Sequence, residues 1–255
     1  MSSSFEPMNR LDGRVVVITG GTGAIGMATA QRLAHLGAHC VLCYHREDPA
    51  QAEAKAASLP GSGHSAVQLQ VTDSASLQRA ADAIGAKHGA VHILVNSAGY
   101  TQPVPAGDLN ALSDELIDDM LRVNFRGVIA TVRAFLPLLQ SSGDGLVVNI
   151  SSIAAFTGVG SNLAYVAAKA GVDVVGDALA KALAPQVRVV SVSPGVVNTS
   201  FVPGRGPDFN DKAAATIPLK RVGTADDVAA AVEACATTLR YMTGTRLVVD
   251  GGRHL

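Results

Sequence analysis

Short runs of valine, isoleucine and leucine recur along the chain, each followed by a longer stretch with helical periodicity. This alternation constrains the fold more than any other feature. The apolar runs are Arg14–Thr19, His39–Tyr44, Ala66–Val71, Val91–Val95, Leu146–Ser151, Val187–Ser193 and Arg246–Val249. They lack the strict polar alternation of a half-exposed strand, as expected for strands covered on both faces. Between them, Ala24–Leu36, Pro49–Leu59, Ser74–His88, Ser113–Leu139, Asn162–Leu183 and Ala225–Leu239 read as helices. The pattern predicts an α/β fold: a doubly wound, seven-stranded parallel sheet with helices on both faces and right-handed crossovers. The chain of 255 residues fits a single such domain over residues 11–255, preceded by a flexible arm, Met1–Arg10.

Composition excludes several classes. The formal net charge is −1 and no long run carries one sign. Nothing electrostatic therefore recruits nucleic acid or an anionic membrane. No stretch approaches the roughly 20 apolar residues that span a bilayer, and the polar first ten residues lack a signal core. A cytoplasmic protein is expected. Cys40, Cys43 and Cys235 make no disulfide framework. Cys40 and Cys43 have CxxC spacing, but on a strand they point to opposite faces and read as buried thiols. The histidines form no metal-ligating pair, so no protein-held metal is expected.

Ser200–Pro218 breaks the rhythm with several prolines and glycines and no clear period. A loop of that length in a compact domain is functional or disordered. It follows the sixth strand, at the sheet edge where open α/β folds bind ligands.

The first strand ends in Thr19-Gly20-Gly21-Thr22-Gly23-Ala24-Ile25-Gly26 and runs into a helix. Glycines let the backbone turn tightly and approach a pyrophosphate, and the helix N-terminus offers free N–H groups to it. Gly26 lets the helix pack closely on the sheet. Gly20, Thr22, Gly23, Ala24, Ile25 and Gly26 are thus candidate dinucleotide-binding residues. About eighteen residues on, where an NAD enzyme often places an acid on the ribose 2′-hydroxyl, stands Tyr44-His45-Arg46. His45 and Arg46 would attract a 2′-phosphate. NADP(H) is therefore expected over NAD(H), although Glu47 and Asp48 next door weigh against it.

On Asn162–Leu183, Tyr165 and Lys169 are four apart and share a face with Val172 and Leu179. An inward lysine needs a partner, since burying an ammonium alone is costly; the alternative is a lysine that snorkels out near the helix start. Carbonyl reduction needs a hydride on carbon and a proton on oxygen. A tyrosine is too weak an acid for this unless a nearby cation favours its phenolate. Ser152, ending the fifth strand, could hold the substrate oxygen near Tyr165.

Together these residues resemble the short-chain dehydrogenase/reductase family in its single-domain form, from Arg14 to Gly252. The family's TGxxx[AG]xG is Thr19 to Gly26, and its NNAG is Asn96-Ser97-Ala98-Gly99, with Ser97 departing from the second Asn. Its long-helix Asn is Asn124, its serine is Ser152, its YxxxK is Tyr165 and Lys169, and its PG is Pro194-Gly195, followed by Thr199. Asp250-Gly251-Gly252 also matches.

The resemblance implies a Rossmann-type domain and a set of roles. Tyr165 would be the general acid/base. Lys169 would bind the nicotinamide ribose and depress the tyrosine pKa. Ser152 would hold the carbonyl, and Asn124 would maintain a water relay from Lys169. Gly20, Ala24 and Gly26 would lie by the pyrophosphate. Gln70 and Val71 would lie by the adenine, with Gln70 replacing the usual Asp or Asn. Asn96, Ala98 and Gly99 would flank the adenosine ribose side. Pro194, Gly195, Val197 and Thr199 would lie by the carboxamide. The basic Tyr44-His45-Arg46 is similar to NADPH-using members, 3-oxoacyl-carrier-protein reductases among them. Members usually form homotetramers through the helices matching Ser113–Leu139 and Asn162–Leu183, with a homodimer as the alternative.

The expected function is an NAD(P)(H)-dependent interconversion of a secondary alcohol and a ketone. A carrier-protein-bound 3-oxoacyl group is the nearest alternative substrate, although Ser141–Gly145 lacks the basic residues that would dock a carrier. A non-catalytic NADP(H) sensor or scaffold is the alternative of another class. A sugar epimerase or dehydratase would need a longer C-terminal substrate domain. Ile153, Ala154, Tyr100, Asn162 and Ser200–Pro218 are expected to line the substrate pocket, where Arg205 could meet an anion or simply be a solvated loop residue.

Overall fold

The structure, a computed structural model, describes residues 10–255. The expected arm lies outside the described residues except for Arg10, which pairs with Asp12 at 2.7 Å.

The described residues form one sheet of seven parallel strands in the order β3-β2-β1-β4-β5-β6-β7. The strands are β1 (Val15–Thr19), β2 (His39–Tyr44), β3 (Ser65–Gln68), β4 (Ile93–Asn96), β5 (Gly145–Ile150), β6 (Val187–Pro194) and β7 (Thr245–Val249). The order reverses between β1 and β4, so a crevice opens beyond their carboxyl ends, where such folds bind ligands. Register aligns Thr19 with Asn96 and Asn96 with Asn149, placing three polar side chains in one row at that edge.

The connections are α1 (Ala24–His35), α2 (Pro49–Ala57), α3 (Ser74–His88), α4 (Asp114–Leu121), α5 (Gly127–Ser141), α6 (Ala154–Thr157), α7 (Leu163–Leu183), α8 (Phe209–Thr216) and α9 (Ala225–Ala236). Strand residues alternate between two cores. Val16, Ile18, Cys40 and Leu42 pack with Leu33 of α1 and Val232 of α9, while Val15, Val17, Val41 and Cys43 pack with Leu77 of α3 and Phe135 of α5. The two cysteines thus lie on opposite faces, and burial pushes both thiols up to about 12. Each fully buried Val or Leu contributes roughly 1.5–3 kcal/mol, so this double layer is the main driving force of the fold.

Three expectations change. The third strand stops at Gln68; the Gln70 N–H is taken by the Ser76 hydroxyl at 3.0 Å, so Gln70 and Val71 belong to the connection. The single long helix Ser113–Leu139 is two helices joined by a wider π-helical turn, Arg122–Arg126, with Asn124 at its centre. Such turns mark local function or strain. The stretch Ser200–Pro218 is not a loop throughout, because it contains α8. Its prolines and glycines cluster before Asp208, whereas Lys212 to Ala215 are good helix formers. No helix among the described residues is long and apolar enough to cross a membrane.

Candidate active site

A cleft of about 1240 Å³ lies along the carboxyl edge of the sheet. Its floor at one end is the turn between β1 and α1. Gly20 sits at φ 63°, in the left-handed region, and a Cβ there would press on the Ala98 backbone at 3.0 Å. A Cβ on Gly26 would lie 2.3 Å from the Gly20 carbonyl oxygen, so α1 rests directly on the turn. Thr19 ties the turn to β4: its buried hydroxyl accepts from the Ser97 and Ala98 N–H groups, both at 3.2 Å. Gly20 and Gly23 to Gly26 line the cleft, as do Ala98 and Gly99 beyond β4.

At the other end α7 delivers Tyr165 and Lys169. Asn162 caps this helix; its side-chain oxygen accepts the Tyr165 N–H at 2.7 Å and its amide donates to the Gln102 carbonyl at 2.7 Å. The first turn, and with it the phenol, is therefore fixed. Tyr165 and Lys169 are 9% and 6% exposed. The lysine does not snorkel out: its ammonium donates to the Ile150 carbonyl at 2.7 Å and lies 5.7 Å from the Tyr165 ring centroid. Ser152 hydrogen-bonds the phenol, and its Oγ accepts the Ala154 N–H at 3.1 Å. Pro194, Gly195, Val197 and Thr199 close the cleft from the exit of β6.

The electrostatics differ from expectation. Burial pushes the Tyr165 phenol up to about 12, and the groups that oppose it are the Ser152 hydroxyl and the Arg205 charge. Lys169 is not among them. Burial pushes its ammonium down to about 8, opposed by the Asp173 carboxylate one turn along α7. Desolvation outweighs the nearby charges here because both groups are walled in by apolar atoms. Asp173 is itself buried, with no hydrogen bond to either oxygen and Arg246 at 3.5 Å. A carboxylate four residues past Lys169 on an otherwise apolar stripe was its sequence signal.

Several expected residues stand outside the cleft wall. Both amide protons of Asn124 are engaged, to the Tyr100 carbonyl at 3.0 Å and the Met120 carbonyl at 3.1 Å, and its oxygen accepts the Tyr100 N–H at 3.2 Å. It clamps the π-helical turn to the segment after Gly99. Asn96 donates to Asn149 at 2.9 Å from within the sheet, and its buried oxygen has no partner. Gln70 is exposed and donates to Thr72 at 2.9 Å, and Val71 packs over Gly127. Tyr100 and Asn162, expected in the pocket, are spent on an apolar cluster with Met120 and on the helix cap, respectively. His45 and Arg46 are exposed beyond β2. The acids beside them are occupied: Asp48 caps α2, and Glu47 pairs with Lys55, which also donates to the Thr22 carbonyl at 3.1 Å. Thr22 hydrogen-bonds Glu47 as well.

The glycine turn fits a dinucleotide: Gly20 and Gly23 to Gly26 bring the N-terminus of α1, which no side chain caps, to the wall of the cleft.

A family model described as enoyl-(acyl carrier protein) reductase matches residues 21–254. D-threitol dehydrogenase of Mycolicibacterium smegmatis is 37% identical over 95% of this chain and 94% of its own. The 3-oxoacyl-[acyl-carrier-protein] reductase of Escherichia coli is 31% identical over 96% of this chain and 98% of its own. A short-chain dehydrogenase/reductase of Brucella melitensis, titled glucose/ribitol dehydrogenase, superposes with a TM-score of 0.89 at 28% identity over 96% of this chain and 98% of that one. With the fold, the glycine turn and the likeness running nearly end to end, the chain belongs to the short-chain dehydrogenase/reductase family, whose members are NAD(P)(H)-dependent oxidoreductases.

Proposed function

We propose that this protein interconverts a secondary alcohol and a ketone, with Tyr165 as general acid/base, Ser152 and Lys169 as its partners, and NADP(H) preferred over NAD(H). The observation that carries this reading is the meeting of Tyr165, Ser152 and Lys169 at one end of a cleft whose other end is a glycine cradle. A bound nicotinamide supplies or receives the hydride. Ser152 fixes the substrate oxygen within reach of the phenol. Tyr165 gives that oxygen a proton during reduction and takes it back during oxidation. Lys169, held by the Ile150 carbonyl, presents its ammonium to the ribose side in this reading. Gly20, Thr22, Gly23, Ala24, Ile25 and Gly26 hold the pyrophosphate side in this reading; Ala98, Gly99, Pro194, Gly195, Val197 and Thr199 flank the rest. The catalytic assignment is tested by Tyr165→Phe, argued in the Discussion.

The cofactor preference rests on charge. With Asp48 capping α2 and Glu47 paired with Lys55, His45 and Arg46 are the exposed basic side chains at the end of β2. A charge-assisted contact to a phosphate contributes about 1.5–3 kcal/mol. Arg46→Ala should therefore raise the NADP(H) KM by about tenfold or more, and far more than that for NAD(H). A wild-type preference for NAD(H) in the same assay would reject it.

Asp173 gives a pH test. Reduction requires Lys169 charged, so activity is present below its pKa of about 8 and lost as pH rises through it. The Asp173 carboxylate favours the charged form, so Asp173→Asn should lower that pKa and move the alkaline limb of kcat to lower pH. An unmoved limb would show that Lys169 does not set it.

A homotetramer (or homodimer) and a cytoplasmic location complete the proposal. Val174, 67% exposed on α7, supports an assembly through this helix.

A further inference from the structure

We propose that the substrate carries a carboxylate, held by Arg205 and Arg253 at the open end of the cleft. This rests on the proposed alcohol/ketone chemistry and specifies which compounds undergo it.

Among the described residues the cleft wall contains four basic ones, Lys169, Arg205, Arg253 and His254, and no aspartate or glutamate. Lys169 is committed to the Ile150 carbonyl, and His254 to Asp250 at 2.8 Å. The two arginines have only neutral partners. Arg205 donates to the Val197 carbonyl at 3.2 Å and lies 4.3 Å over the Phe209 ring; Arg253 donates to the Thr216 hydroxyl at 2.9 Å. The Arg205 Nε is buried with no partner among the described residues, and burial first, then the Arg253 charge, acts against the Arg205 charge. Two guanidiniums that repel, one with an unmet N–H, form an unfavourable arrangement that an anion between them would relieve.

The position favours substrate over cofactor phosphate. Arg205 acts electrostatically on the Tyr165 phenol, whereas the glycine turn at Gly20–Gly26, proposed for the pyrophosphate, packs against Ala98 and Leu42. Phe201, its ring 6.1 Å from that of Tyr165, and Phe209 under Arg205 give the intervening stretch an apolar wall. An oxo or hydroxy acid with an apolar stem suits both features: the oxygen to be protonated at Tyr165, the carboxylate at the arginine pair. A guanidinium fork matches the two oxygens of a carboxylate.

Straight-chain oxo acids of graded length, and their methyl esters, provide the test. Binding to wild type, Arg205→Gln and Arg253→Gln is measured by calorimetry with saturating NADP⁺, in whose presence a ketone cannot be reduced. For at least one chain length the acid should bind about tenfold or more tightly than its ester. Each substitution should remove most of that ratio. Equal binding of acid and ester at every length overturns the proposal, as does a ratio that survives in Arg205→Gln. So does an Arg205→Gln variant that loses NADP⁺ affinity with the ratio unchanged, which would assign the guanidinium to the dinucleotide phosphates. Turnover of the same compounds with NADPH, in wild type and Tyr165→Phe, separates the two claims. Acid-selective binding without Tyr165-dependent turnover counts against the redox reading and leaves the anion site standing; Tyr165-dependent turnover of esters and acids alike does the reverse.

Discussion

Tyr165→Phe should lower kcat in both directions by about 10²–10⁴-fold while leaving the NADP(H) dissociation constant within about twofold. The substitution removes one oxygen and keeps the ring that packs beside Phe201 and Ala164. The fold therefore has little reason to change, and the glycine cradle none. What is lost is the hydroxyl that hydrogen-bonds Ser152 and that the proposed reaction uses to exchange a proton with the substrate oxygen. Steady-state kinetics paired with a fluorescence titration of NADPH checks both halves. A variant that turns over at the wild-type rate would remove the phenol from the reaction, and with it the sequence argument that began from Tyr165 and Lys169. The sensor reading makes a contrasting forecast: no measurable wild-type turnover to lose.

The second large effect is expected at Gly26→Ala. A methyl group there would sit 2.3 Å from the Gly20 carbonyl oxygen and 2.8 Å from the Gly21 Cα. Both obstacles are backbone, and Gly20 is already held in the left-handed region. The first turn of α1 must lift, which costs about 1–3 kcal/mol as overpacking. For a domain of this size that corresponds to a fall in Tm of about 2–4 °C per kcal/mol. Cofactor affinity should drop by tenfold or more, because the N–H groups that face the pyrophosphate move with the helix. Gly23→Ala is the matched control. Its Cβ would meet the same carbonyl at 3.3 Å, a contact that a small shift relieves, so Tm should be nearly unchanged. Equal thermal shifts for the two variants would contradict this account of the turn.

The redox centre and the cradle depend on different kinds of information, and this explains how far the sequence could be read. The order of strands and helices followed from local periodicity, since a parallel strand buried on both faces has few other ways to look. His39–Tyr44 and Ser74–His88 match residue for residue. The misreadings fall where non-local contacts override local pattern. The interruption at Arg122–Arg126 is invisible in the amphipathic pattern of Ser113–Leu139, because the clamp from Asn124 to Tyr100 that accompanies it comes from another segment. The short helix Phe209–Thr216 was hidden by the prolines and glycines just before it.

Read alone, the amino-acid sequence determined the α/β class and the glycine turn, because each is set by periodicity or by neighbours a few positions away, and it singled out Tyr165, Lys169 and Ser152 as candidates. The tertiary structure alone decided their electrical surroundings. It buried the phenol deeply enough to push it up to about 12, gave Lys169 a carbonyl partner, and brought Arg205 and Arg253 to the same cleft. Desolvation and Coulomb interactions depend on distance in space, and residues about forty or ninety positions from Tyr165 become its neighbours only once the sheet has been wound.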